Sequence, residues 1–265
     1  MKILLPKSLR EILHYRDLWW MLTLRDIRIR YKQAIMGFLW ALFMPIVAIF
    51  AGILIKKAMA FMAGQAMDEK AIVAMTFKVL PWTFFASSIR FAVQSLVGNS
   101  SLITKIYFPR AVLPLSAVSA CFFDFLIAAL ILPVLIVIFR APVNLYYLYL
   151  PYLILLVVLF TLGVGLLLSA ANLFYRDVKY IVEIILMFGI FFTPVFYDAN
   201  SLGKFGTIMR LNPIGSILES INQVISFNQP PDSGWLSYAS VCSLGMFLLG
   251  FYFFHKFEPA FAENI

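Results

Sequence analysis

Residues 35–55 read IMGFLWALFMPIVAIFAGILI, a run of 21 positions from Ile35 to Ile55 without a single charge. At about 1.5 Å of rise per helical residue the run extends roughly 30 Å, the thickness of one hydrocarbon core. Five more apolar runs follow: Val79 to Gly98, Ala111 to Phe139, Leu148 to Phe174, Ile181 to Tyr197 and Trp235 to Phe254. Inside lipid the backbone finds no water, so such runs become helices packed as one bundle. The pattern predicts an all-α membrane protein of six transmembrane helices. Residues 1–34 read as a cytoplasmic amphipathic interface helix and residues 35–265 as a single membrane domain.

Composition agrees, with 63% hydrophobic and 13% charged residues against about 25% charged in an average soluble domain. An even number of spans puts both termini on one side, and 13 of the 21 basic residues fall there. They are Lys2, Lys7, Arg10, Arg16, Arg25, Arg28, Arg30, Lys32, Lys105, Arg110, Arg176, Lys179 and Lys256. Six fall opposite: Lys56, Lys57, Lys70, Arg140, Lys204 and Arg210. Lys78 borders span two and Arg90 lies within it. The bias places both termini in the cytoplasm. The net charge of +8 is then a topology signal and calls for no nucleic-acid partner. Because the first apolar run starts at residue 35 and is longer than a secretory core, it is expected to stay as an anchor. Cys121 and Cys242 fall inside spans three and six and read as free buried thiols.

Ahead of the first span, residues 8 to 32 read as helix, with Ile12, Tyr15, Trp19 and Leu22 on one face. Trp on the apolar side and Arg on the polar side suit a helix in the membrane interface. Arg25, Arg28 and Lys32 form a basic stripe, which fits anionic headgroups or a cytoplasmic partner equally well. Between spans two and three, Gly98 to Arg110 suits a short helix with capping residues at its start and Pro109 at its end. The loop from Asn172 to Tyr180 reads as an interfacial turn.

Three charges lie within spans. Arg90 is about 15 Å from the cytoplasmic end of span two, and Asp124 is at comparable depth in span three. An unpaired charge there is costly, so the two are expected to pair or to line a watery path. Glu183 lies near the cytoplasmic end of span five, within reach of the interface. Between spans five and six, Asn212 and Pro213 start a helix whose apolar stripe is Ile214, Leu218, Ile221 and Ile225. It is too short to cross and suits a re-entrant or interfacial helix on the outer side.

Several chemistries lack their residues. No GxxxxGK[ST], HExxH or GxSxG motif occurs, and there are two histidines, His14 and His255. No metal site, P-loop nucleotide site or other cofactor is therefore expected in this chain. Gly163, Val164 and Gly165 read as a helix-packing run.

The order of motifs carries a further reading. The run Leu24 to Gln33, followed by Gly37, Trp40 and Pro45, resembles the start of permease subunits of type-2 ABC exporters. So do Pro81 to Phe85, then Lys105 to Arg110, then Arg176 to Val178, Thr193 to Tyr197 and Leu211 to Pro213. Within that superfamily the pattern looks most like polysaccharide exporters, namely the O-antigen (Wzm type), capsule and teichoic acid permeases. The resemblance implies a homodimer in the bacterial cytoplasmic membrane, docked on two copies of a separate ATPase that binds ATP and Mg. It implies export of lipid-linked polysaccharide through a channel between the permeases, with no catalysis by this chain. By that analogy Arg25, Asp26, Arg28, Arg30 and Tyr31 form an interface helix and Asn99 to Tyr107, including Ser100, Lys105 and Ile106, a coupling helix. Arg176 and Asp177 join that cytoplasmic face, and Asn212 to Phe227 becomes an external helix at the channel mouth. Of 44 aromatics, Trp40, Trp82, Phe85, Phe192 and Tyr197 sit in or beside the motifs and are candidates for lining the channel. A permease for drugs or small lipids, or a membrane enzyme acting on polyprenyl-linked sugars through Arg90, Asp124 and Glu183, is the alternative.

Overall fold

Pro81 sits inside the longest helix of the fold, and that helix is its hub. In the computed structural model, which describes residues 11–32, 39–62, 64, 69–138 and 144–262, every regular element is helical. The N-terminal helix α1 spans Arg16–Tyr31 and α2 spans Leu39–Met62. Helix α3, Glu69–Ser95, is followed by a single-turn segment Val97–Asn99 and the short α4, Ser100–Lys105. Helices α5, Val112–Ala129, and α6, Ile131–Ile138, run nearly end to end. Then come α7, Tyr149–Phe174, and α8, Val178–Gly189. Three more α-helices follow, α9, Lys204–Arg210, α10, Pro213–Ile225, and α11, Ser233–Phe257, with single-turn segments at Leu145–Leu148, Ala199–Leu202 and Glu258–Ala262.

Four stretches are long and apolar enough to cross a membrane: Leu39–Met62, Val112–Ile138, Leu145–Phe174 and Ser233–Phe261. The chain is thus a helical, multi-pass membrane protein. The expected second span belongs to α3, whose 27 residues carry Lys78 and Arg90. Lys78 is enclosed and Arg90 exposed, although α2, α5, α7, α8 and α10 all pack against the helix. Val73, Met75, Val79, Leu80, Ile89, Ala92 and Val93 along it are each 1% exposed or less.

The expected fifth span, Ile181 to Tyr197, departs from a continuous helix. Helix α8 stops at Gly189, and residues 190–197 are turns and bends. Pro194 supplies no N–H and disfavours helical geometry at Thr193, and Thr193 Oγ1 instead donates to the Gly189 carbonyl at 2.8 Å. At 12 residues, α8 extends roughly 18 Å, about half a bilayer.

Helix α10 starts as its sequence dictates. Asn212 is extended and its Oδ1 accepts from the Ile214 N–H at 3.2 Å, with Pro213 in the first turn. The stripe Ile214, Leu218, Ile221 and Ile225 is buried, but so is the opposite face, with Ser216, Glu219, Ser220 and Asn222 each at most 2% exposed. Rather than lying on an interface, α10 is inserted between α3, α7 and α11. It ends at Ile225, two residues before the expected Phe227.

Small residues set the tightest crossing. A Cβ at Gly163 of α7 would lie 2.5 Å from the Met246 carbonyl carbon, and one at Gly250 of α11 would lie 2.8 Å from the Gly163 Cα. Gly165 faces α3 instead, its notional Cβ 3.1 Å from Ala92 Cβ. The Gly163–Gly165 run is therefore a packing site on two sides. Lys2, Lys7, Arg10, Gln33, Gly37 and Arg140, the start of the first span and the boundary at residue 34 lie outside the described residues.

Candidate functional site

Helix α1 crosses α5, and its inward contacts repeat at helical spacing. Trp19 Nε1 donates to Ser119 Oγ at 3.1 Å, and Ser116 Oγ donates to Asp26 at 3.3 Å. Arg30 Nη1 meets Asp124 at 2.6 Å. Positions 19, 26 and 30 follow at seven and four residues, so one stripe of α1 faces α5. The face predicted to be apolar meets protein as well: Ile12 and Leu22 are buried, with Tyr15 and Trp19 packed beside them, in a cluster that includes Leu96, Phe254 and Phe261.

Asp124 is engaged twice, since the Tyr31 hydroxyl donates to its second oxygen at 2.5 Å. Arg30 Nη2 donates to Cys121 Sγ at 3.3 Å, and its guanidinium lies 3.8 Å above the Phe91 ring. The pairing of Asp124 with Arg90 expected from depth is therefore replaced by pairing with Arg30. The physical reason is that the end of α1 descends beside α5 to the carboxylate. Arg90 is exposed on α3 and makes no ion pair among the described residues.

A cleft of about 670 Å³ opens where the end of α1 meets α2, α3, α5 and α8. Trp40, Trp82, Arg90 and Asp124, all singled out in the sequence, line it together with Arg30 and Tyr31. The other aromatic candidates lie elsewhere. Phe85 packs between Trp82 and Phe160 at 5.7 and 6.1 Å between ring centres. Phe192 is exposed beyond the end of α8, and the Tyr197 hydroxyl donates to the Phe191 carbonyl. Glu183 is exposed on α8.

A second feature is the end of the bundle that carries α4. Asn99 caps backwards, donating from Nδ2 to the Ser95 carbonyl at 2.8 Å and so closing the end of α3, with no side-chain bond to α4 itself. After Lys105 the chain straightens at Ile106, φ −133° and ψ 137°, and presents Ile106 and Tyr107 at 58% and 90% exposure. Ile103, Phe108 and Pro109 are buried, so the exposed tip stands on a fixed base. Tyr175, Arg176 and Asp177 are exposed in the turn before α8, which Asn172 anchors by donating to the Val93 carbonyl at 3.0 Å. Of the α1 candidates, Arg28 is exposed and Arg25 pairs with Asp26 at 2.8 Å, whereas Arg30 and Tyr31 turn inward.

The third feature escaped the sequence reading. Lys78, completely buried, donates to the Tyr197 carbonyl at 2.8 Å and pairs with Asp198 at 3.2 Å. Asn222 donates to Asp198 at 2.9 Å and to Glu219 at 3.3 Å, and Glu219 meets Arg210 at 3.6 Å. The network fastens α10 and the 197–199 turn to α3. Burial works against charge on Asp198, but Lys78 and Lys56 outweigh it and hold the carboxyl below its ordinary range. The signal available was the carboxylate and amide at positions 219 and 222 of a helix whose other face is apolar.

The described residues contain no cluster of histidine, cysteine and carboxylate groups able to hold a metal. They combine a multi-pass helical bundle, an exposed tip after α4 and a polar N-terminal helix laid against the bundle. Residues 17–225 match the ABC-2 type transporter family, and the chain belongs to that family. It is 27% identical over 249 residues to an O-antigen export system permease protein of Klebsiella pneumoniae, covering 93% of this chain and 94% of that one. A protein of the same description from Myxococcus xanthus is 26% identical over 262 residues, covering 98% of this chain and 99% of that one.

Proposed function

We propose that this chain is the transmembrane permease of an ATP-driven exporter that moves an O-antigen-like, lipid-linked polysaccharide out of the cytoplasm. The observation that carries the reading is likeness along 93–98% of the chain to permeases of O-antigen export, within a family of transporters. In this reading two copies of the chain, each with six spans and both termini cytoplasmic, sit in a bacterial cytoplasmic membrane with two copies of a separate ATPase. The fifth span is completed by the broken segment after α8. ATP and Mg are bound by the partner, and this chain needs no cofactor and catalyses nothing.

The structure supports roles for particular elements. A tip such as Ile106 and Tyr107, exposed yet held by buried neighbours, suits insertion into a partner's groove. Arg25, Arg28, Arg176 and Asp177 provide the polar rim. Helix α1 would pass motion on to α5 through the Arg30–Asp124 pair. Exposed apolar side chains on α2 and α8, Phe50, Leu54, Ile184 and Phe188 among them, are available to lipid and to a second copy. Trp40 and Trp82 would line the site of the lipid carrier.

Deleting the chain from a polysaccharide-producing strain should abolish surface polysaccharide and leave the lipid-linked form inside. Restoration should require this chain together with its ATPase. Export that persists without any ATPase would overturn the reading.

A further inference from the structure

The charges of the cleft do not balance. Arg30 is neutralised by Asp124, which also accepts from Tyr31. Arg90 lines the same cleft and finds no carboxylate among the described residues. One positive charge, on a side chain exposed into the cleft, is therefore left over within the expected second span, where a cation without a partner favours an anion. A guanidinium presents a planar fork of donors that matches the oxygens of a phosphoryl group.

The walls narrow the ligand further. Beside Arg90, the cleft is lined by Trp40, Met44, Trp82, Phe91 and Met187, an apolar and aromatic surface that suits a hydrocarbon chain. Its volume of about 670 Å³ falls in the range of a single small-molecule ligand. That space accommodates a phosphorylated head and the first part of a lipid tail, and excludes a polymer.

Resting on the exporter reading, we propose that this cleft is a subsite for a phosphoryl group carried on a lipid, with Arg90 as its anion-binding group and Arg30 as a second cation held in place by Asp124. The same chemistry is offered by a substrate's phosphorylated lipid carrier and by a bulk phospholipid headgroup. In either case the polymer lies outside the cleft.

The test uses the complex of this chain with its ATPase in phosphatidylcholine nanodiscs. It is titrated with geranylgeranyl pyrophosphate and followed through the emission of Trp40 and Trp82. Wild type should respond saturably, and Arg90→Gln should weaken binding at least about tenfold. Arg90→Lys, which keeps the charge but loses the fork, should retain part of the affinity. Lys204→Gln on α9, remote from the cleft, should bind like wild type. A second titration adds phosphatidylglycerol: competition at equal affinity assigns the subsite to bulk lipid, and indifference assigns it to the carrier, both in keeping with the proposal. An Arg90→Gln complex that binds as tightly as wild type, or a wild type with no saturable response, overturns it. If Arg90→Gln does not assemble, Arg90→Lys decides: severalfold weaker binding supports the subsite, and wild-type affinity overturns it. Should the subsite fail while the ATPase still co-purifies and polysaccharide still reaches the surface, the exporter reading stands alone.

Discussion

Replacing Gly250 by Ala places a methyl group against backbone that has nowhere to move. The new Cβ would stand 2.8 Å from the Cα and the carbonyl carbon of Gly163, and closer still to its carbonyl oxygen. Carbon atoms in contact prefer about 3.5–4.0 Å, so α7 and α11 must separate by roughly an ångström. Because the obstacle is a helix backbone, no rotamer change relieves it. Overpacking of this kind costs about 1–3 kcal/mol, and a separation along the whole α7–α11 crossing puts this site at about 2–3 kcal/mol. With roughly 2–4 °C per kcal/mol at this size, the melting temperature should fall by about 5–10 °C. Gly163→Ala, facing the Met246 carbonyl from the other helix, should behave alike, and the double variant should cost less than the sum because the helices are already apart. Gly245 on the same helix meets nothing within 4 Å, so Gly245→Ala should be neutral or stabilise by up to about 1 kcal/mol. Thermal unfolding in detergent, read by fluorescence-detected size exclusion, separates the three. A Gly250→Ala protein that melts with wild type would refute the close approach of α7 and α11.

Asp124→Asn removes the charge that balances Arg30. Fully buried pairs lose about 3–5 kcal/mol when one partner is deleted; with side chains 16% and 23% exposed, about 2–3 kcal/mol is expected here. The double variant with Arg30→Met should recover part of it in the same melting assay. For Asp198, whose folded pKa is depressed, the stabilisation is complete above the unfolded value near 3.8 and is lost as pH falls through the lower folded value. Wild type should thus melt progressively earlier below about pH 4, and Asp198→Asn should already be destabilised at neutral pH, with a shallower acid dependence. Tyr107→Ala should leave the melting temperature within about 0.5 kcal/mol of wild type, since the ring is 90% exposed, while reducing ATPase association in a pull-down.

The spans that the sequence made plain are those built from uninterrupted apolar runs: α2, the α5–α6 pair, α7 and α11. Helix α3 was recognised from residue 79 onward, but its first turns carry Glu69, Lys70 and Lys78, so hydropathy alone hides the part that α10 covers. The break after Gly189 was written in Thr193 and Pro194, yet a proline within an apolar run reads equally well as a tolerated kink. Depth along separate spans suggested Arg90 as the partner of Asp124. That inference had no access to the angle at which α1 crosses α5, and the crossing gives the carboxylate to Arg30 and Tyr31. The Lys78–Asp198–Asn222–Glu219 network joins residues more than a hundred positions apart. No local periodicity reports such an association. The cap at Asn212, the helix at Ser100–Lys105 and the packing glycines were legible because each rests on local backbone chemistry.

The measurement closest to the central claim is nucleotide hydrolysis by the proposed ATPase partner, after it is purified together with this chain. Wild type is compared with a variant in which Asn99 to Tyr107 is replaced by a Gly/Ser linker of equal length. A stable complex whose formation or regulated hydrolysis is lost in the variant is the predicted result. A variant that binds the ATPase and supports hydrolysis like wild type, or an ATPase that never associates with this chain, would contradict it.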